Sequence, residues 1–116
     1  MINTHLDHVS QAARENQARI ITEDSCAYPA DYPQILVGDM NCDSKNPAIQ
    51  VFKNAGWADT YGPIHGTEDP EPTYHAFLGP QRRRTVGKMD WILTRGKAKP
   101  LTAEVIFYAA REAVRN

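Results

Sequence analysis

Four polar groups in this sequence stand where strands are expected to end: His5, Asp39 together with Asn41, His75 and Asp90. A rigid sheet aims such end positions into one cleft, so placement matters more than number. In Gly38-Asp39-Met40-Asn41 the glycine permits close backbone approach, and a carboxylate and an amide two residues apart point the same way from an extended segment. That pair is suited to orienting a water molecule and holding a phosphate oxygen. The plainer alternative is an Asx-type turn that only terminates the strand. His5 and His75 have structural alternatives as hydrogen-bonding residues, and Asp90 could simply pair with Lys88 or an arginine. Arg82-Arg83-Arg84 offers Arg83 as a phosphate contact, against the commoner use of such a run as a solvated loop tip. His5 and His8 are three apart, a spacing that suits zinc only on a helix, whereas His5 falls on a strand. Cys42, beside this group, has no base next to it in sequence and reads as inert.

These groups need elements to carry them. Residues 2–6 alternate apolar and polar, the period of a strand with one buried face. Asp7 to Ser10 supplies helix-capping chemistry, and the run to about Asp24 predicts a helix with Val9, Ala13, Asn16 and Ile20 on one face, Ala12, Ala18 and Ile21 nearby. After a loop between Pro29 and Pro33, Gln34-Ile35-Leu36-Val37-Gly38 is nearly all apolar, as in a central strand covered on both faces, and ends at Asp39. Asn46-Pro47 is a cap plus first-turn proline, and Gly56 suits a left-handed helix end, so 47–55 is predicted helical. Residues 62–72, rich in Gly, Pro and acids, predict a surface loop. Thr73 to Phe77 and Lys88 to Leu93 predict two strands of an antiparallel hairpin around a long loop; 101–107 predicts a further strand and 108–115 a terminal helix.

A length of 116 residues with 41% hydrophobic content predicts one domain over 1–116. A formal net charge of -1 excludes a general basic surface, leaving nucleic-acid binding unsupported by charge. Cys26 and Cys42 form no Cys-x-x-Cys pair, which argues against a disulfide framework and for a reducing, cytoplasmic setting. No run approaches the ~20 apolar residues of a membrane span, and no signal-peptide pattern opens the chain.

The ordered set Asn3-Thr4-His5-Leu6-Asp7, Gly38-Asp39-Met40-Asn41, Thr73-Tyr74-His75-Ala76-Phe77 and Lys88-Met89-Asp90-Trp91-Ile92-Leu93 resembles the successive motifs of the endonuclease/exonuclease/phosphatase family over about residues 2–105. The resemblance implies an α/β fold, an α+β sandwich of four layers. This chain would supply its C-terminal half: one mostly antiparallel or mixed sheet with helices on one face. It implies that His5 contacts the scissile phosphate, that Asp39 orients or deprotonates the attacking water and takes part in binding Mg²⁺, and that Asn41 binds and polarises the phosphate. Beside what the resemblance implies, His75 and Arg83 are read from the residues themselves as candidate substrate contacts. The aspartate matching Asp90 supports a catalytic histidine near the C-terminus of relatives. The chain departs from the pattern at two places. A metal-binding Glu belongs to an N-terminal half not seen before Met1, and a closing Ser-Asp-His motif gives way to Phe107-Tyr108-Ala109-Ala110. The expectation is therefore a truncated Mg²⁺-dependent phosphoesterase with a weak metal site and little activity by itself; the alternatives are a dimeric nuclease or phosphatase that is active through a shared site, and a non-catalytic interaction module. An open apolar sheet face, formed by Val37, Leu36 or Ile35 and by Trp91 or Ile92, would pair two copies as a homodimer.

Overall fold

The computed structural model describes residues 1–67, 73 and 87–105. Among these residues four strands form one mixed sheet: β1 (Ile2–His5), β2 (Gln34–Asp39), β3 (Ala58–Asp59) and β4 (Asp90–Arg95), in the spatial order β1-β2-β4-β3. β1 runs parallel to β2, with Ile2 opposite Leu36 and His5 opposite Asp39. β4 runs antiparallel to β2, with Asp39 opposite Asp90 and Leu36 opposite Leu93, and β3 antiparallel to β4.

The parallel step from β1 to β2 requires a crossover, and helix α1 (Gln11–Ser25) provides it. Ser10 caps α1 by accepting a hydrogen bond from Ala13 N at 3.1 Å. Asn46 caps α2 (Pro47–Asn54) through Ala48 N at 2.9 Å, and Gly56, at φ 92°, takes the left-handed position just past its end. Both helices lie on one side of the sheet. Leu36, Trp91 and Leu93 meet Ala18, Ala48, Ile49 and Phe52 there in a buried core, each large apolar side chain contributing ~1.5–3 kcal/mol by leaving water. On the other side Ile35 is 41% and Ile92 53% exposed. Among the described residues β2 is therefore central in strand order but covered by helices on one face only, unlike the doubly covered strand that its apolar run suggests. The open face carries Ile35, half-buried Val37 and Ile92, while Leu36 and Trp91 turn to the core.

The expected buried face of α1 is rotated. Val9 precedes the helix and is exposed, as are Asn16 and Ile20, whereas Ala18, Thr22 and Ser25 are buried. Small side chains on that stripe let α1 approach its neighbours, and polar groups beside it are satisfied tertiarily. Gln11 and Asn46 exchange two amide hydrogen bonds of 2.8 Å, and Trp57 Nε1 donates to Ser25 Oγ at 3.3 Å. Sequence periodicity follows apolar residues, and here the contact stripe is mostly polar.

Elsewhere the boundaries move. The two-residue β3 is too short to leave a period, and a one-turn helix α3 (Gly62–His65) stands at the start of the expected 62–72 loop. β4 begins two residues later than the expected 88–93 strand. Residues 101–105 form no strand. Residues 74–77 of the expected 73–77 strand, His75 among them, Arg83, residues 106–107 of the expected 101–107 strand and the terminal helix at 108–115 lie outside the described residues.

Candidate functional site

Pairing register and pleat together assemble the site. Directly paired residues on neighbouring strands share a sheet face, so His5, Asp39 and Asp90 form a row across β1, β2 and β4. Ile35 and Ile92 mark that face as the open one. Met40 N donates to Met89 O at 2.8 Å, which makes Asp39 and Asp90 a non-hydrogen-bonded pair, the closer kind, with Cα atoms ordinarily ~4.5 Å apart.

The parallel contact between β1 and β2 needs Gly38. Its φ is 146°, and a Cβ there would fall 1.8 Å from the carbonyl oxygen of Thr4. That approach carries Asp39 alongside His5, whose Nε2 lies 3.6 Å from Asp39 Oδ2, with the His5 side chain 72% exposed and that of Asp39 36% exposed. Asp39 Oδ1 accepts from Asn41 N at 2.8 Å. This is the Asx-type turn named above as the plain alternative, and Asn41 enters it at φ 49°, so the segment is not extended beyond Asp39. The Asn41 amide nitrogen donates to Leu6 O at 2.7 Å, and Leu6 N in turn donates to Asp39 O at 3.0 Å. The turn that ends β2 thus also clamps the end of β1, holding three candidate groups in fixed relation.

The same open face borders a cavity of about 640 Å³, lined by Val37, Asp39, Asp90 and Ile92 and on its far side by residues 98–100 and 102–105. One wall holds groups that sequence reasoning missed. Lys88 Nζ binds Asp59 Oδ1 at 2.9 Å with both side chains almost fully buried, and it lies 4.1 Å from the centre of the Trp91 ring. Asp59 Oδ2 accepts from Gly62 N at 2.7 Å, and His65 stacks on Tyr61 and bonds Ala103 O through Nε2. A lysine and an aspartate far apart in sequence give no local signal of such a pair. Lys88 therefore has Asp59 as a partner two residues before Asp90.

Next to the row, Asp7 Oδ2 takes hydrogen bonds from the backbone N–H groups of Ser10 and Val9, which hold its carboxyl below the usual range. Cys42 is buried, and burial pushes its thiol up to about 12, so it has no thiolate at neutral pH. Among the described residues no three His, Cys, Asp or Glu side chains converge as a metal-binding group. Two facing carboxylates are nevertheless hard oxygen donors of the type Mg²⁺ uses, together with water.

No family model matches the chain, and no curated protein matches it. Solved structures do. A functionally unknown conserved protein from Enterococcus faecalis is 27% identical with a TM-score of 0.67, over 81% of this chain and 36% of its own. A mannosyl-6-phosphatase from Bacteroides thetaiotaomicron is 24% identical with a TM-score of 0.59, over 82% of this chain and 36% of its own. An endonuclease/exonuclease/phosphatase family protein from the same organism is 22% identical with a TM-score of 0.56, over 80% of this chain and 34% of its own. The chain spans about a third of the length of each, covering 34% to 36% of them. In its fold, this chain corresponds to about a third of an endonuclease/exonuclease/phosphatase protein.

Proposed function

We propose that the chain carries one edge of a Mg²⁺-assisted phosphoester hydrolase site and that the 116 residues alone turn over slowly or not at all. The observation that carries this is the row of His5, Asp39 and Asp90 on one open face, locked by the Asn41 turn. In this reading His5 contacts the phosphoryl oxygens, Asp39 orients the attacking water and accepts its proton, and Asn41 polarises the phosphate through its amide. Asp90 is a support group beside Asp39, and His75 and Arg83 are substrate contacts. Asp39, with Asp90 opposite, would hold Mg²⁺. Like charges on directly opposed residues repel, so a cation there relieves a cost that the bare pair carries. When bound, the metal supplies charge compensation at the phosphate.

Two further parts belong to the same proposal. The open face around Ile35, Val37 and Ile92 packs against a second copy. The setting is cytoplasmic, in keeping with free Cys26 and Cys42. No described helix is long and apolar enough to cross a membrane.

The test is a Mg²⁺ titration with a chromogenic phosphodiester and a chromogenic phosphomonoester. We expect a rate at least ~100-fold below that of the mannosyl-6-phosphatase on its best substrate, the lower end of what acid–base help contributes. Whatever Mg²⁺-dependent rate exists should vanish in Asp39→Ala. Turnover comparable with that phosphatase would overturn the weak-activity part, and a rate untouched by Asp39→Ala would overturn the site.

A further inference from the structure

Asp90 is an exposed residue on an unusually well-tied backbone. Gly87 N donates to Asp43 Oδ2 at 3.2 Å, and Lys88 is buried against Asp59. Met89 N and Asp90 N both donate to the Thr73 hydroxyl oxygen, at 3.0 and 3.1 Å. Met89 O accepts from Met40 N at 2.8 Å, inside the Asp39–Asn41 turn. These four consecutive residues are thus tied to four other places in the molecule, Asp43, Asp59, Met40 and Thr73. Two of these ties converge on one oxygen, that of Thr73, which also lines the cavity beside Asp39 and Asp90.

A carboxylate that serves only solubility needs no fixed mount. One that must stay at a set distance from a second carboxylate does, because a loose strand entry lets like charges drift apart. Asp90 presents its N–H group on the edge of β4 away from β2, where β3, pairing only with Thr94 and Leu93, no longer reaches. The Thr73 hydroxyl takes over there the work of a missing ladder partner.

We propose that Thr73 is a positioning residue: its hydroxyl oxygen, by accepting from Met89 N and Asp90 N together, fixes the Asp90 carboxylate opposite Asp39. The functional half of this rests on the phosphoesterase reading above; the structural half does not. Thr73→Val keeps the shape and removes the acceptor, and Thr73→Ser keeps the acceptor. In the full chain, amide exchange read by NMR should speed up at least ~10-fold at Met89 and Asp90 in Thr73→Val, the loss expected when a tie worth about 1.4 kcal/mol is removed. Core amides such as Leu93 should stay as they are. The carboxyl-carbon shift of Asp90 should move in the same variant. Thr73→Ser should restore both.

The Mg²⁺-dependent kcat/KM should fall in Thr73→Val with KM little changed, and return in Thr73→Ser. Unchanged exchange in Thr73→Val, or failure of Thr73→Ser to restore it, overturns the proposal. So does lost protection with an unmoved Asp90 carboxyl shift. If the native chain shows no turnover, as the hydrolase reading allows, the exchange and carboxyl-shift data alone decide for or against Thr73; a Mg²⁺-dependent rate untouched by Asp39→Ala sinks that reading and leaves those data standing.

Discussion

At the scale of single residues, Gly38 carries the largest constraint. Its φ of 146° is one that side chains rarely adopt, and a Cβ would press on the Thr4 carbonyl at 1.8 Å, which backbone pairing prevents from yielding. Gly38→Ala should therefore cost roughly 3 kcal/mol or more, read as a lowered urea midpoint, and should shift the resonances of His5 and Asp39 together. Cys42 makes a second prediction. Because burial lifts its thiol to about 12, only Cys26 should react with a thiol reagent in the native protein near pH 8, and both only after unfolding. The sign of the linkage follows. A thiol whose folded pKa lies above its unfolded value, ordinarily ~8.5, stabilises the fold fully below that value. That contribution is lost as pH rises from there towards about 12, so denaturation midpoints should decline on the alkaline side, and less so in Cys42→Ala.

Among the elements, β4 depends most on contacts remote in sequence. The Lys88–Asp59 pair ties its entry to β3, with side chains 5% and 2% exposed. Removing one member of such a pair leaves the other charge buried. Lys88→Met should lower stability by ~3–5 kcal/mol, and a cycle with Asp59→Leu should show that the double replacement costs less than the two single ones added. The Trp91 ring, 4.1 Å from Lys88 Nζ, gives the measurement a local reporter in its fluorescence. A change confined to the unfolding midpoint with no Trp91 response would argue against the pair as the anchor of β4.

For the molecule as a whole, the decisive asymmetry is a sheet clad by helices on one face and edged by charged groups on the other. Ile35 and Ile92, 41% and 53% exposed on that second face, are the surface on which the proposed second copy packs. Sedimentation at micromolar concentration should give a dimer, and Ile92→Lys, which leaves the helix-side core untouched, should give a folded monomer. A monodisperse monomer for the native chain would refute the pairing.

What the sequence determined by itself is whatever depends on local chemistry and near neighbours. The Ser10 and Asn46 caps, the left-handed Gly56, the period of β1 and the strand-end positions of His5, Asp39 and Asp90 were all legible, because capping and pleating are set by a few adjacent residues. The tertiary structure alone decided the rest. It chose the polar stripe Ala18, Thr22 and Ser25 as the inner face of α1, turned Asn41 back onto Leu6, and joined Asp59 to Lys88. Each of these is settled by partners distant along the chain, whose desolvation and hydrogen bonding outweigh the local preference of the residues involved.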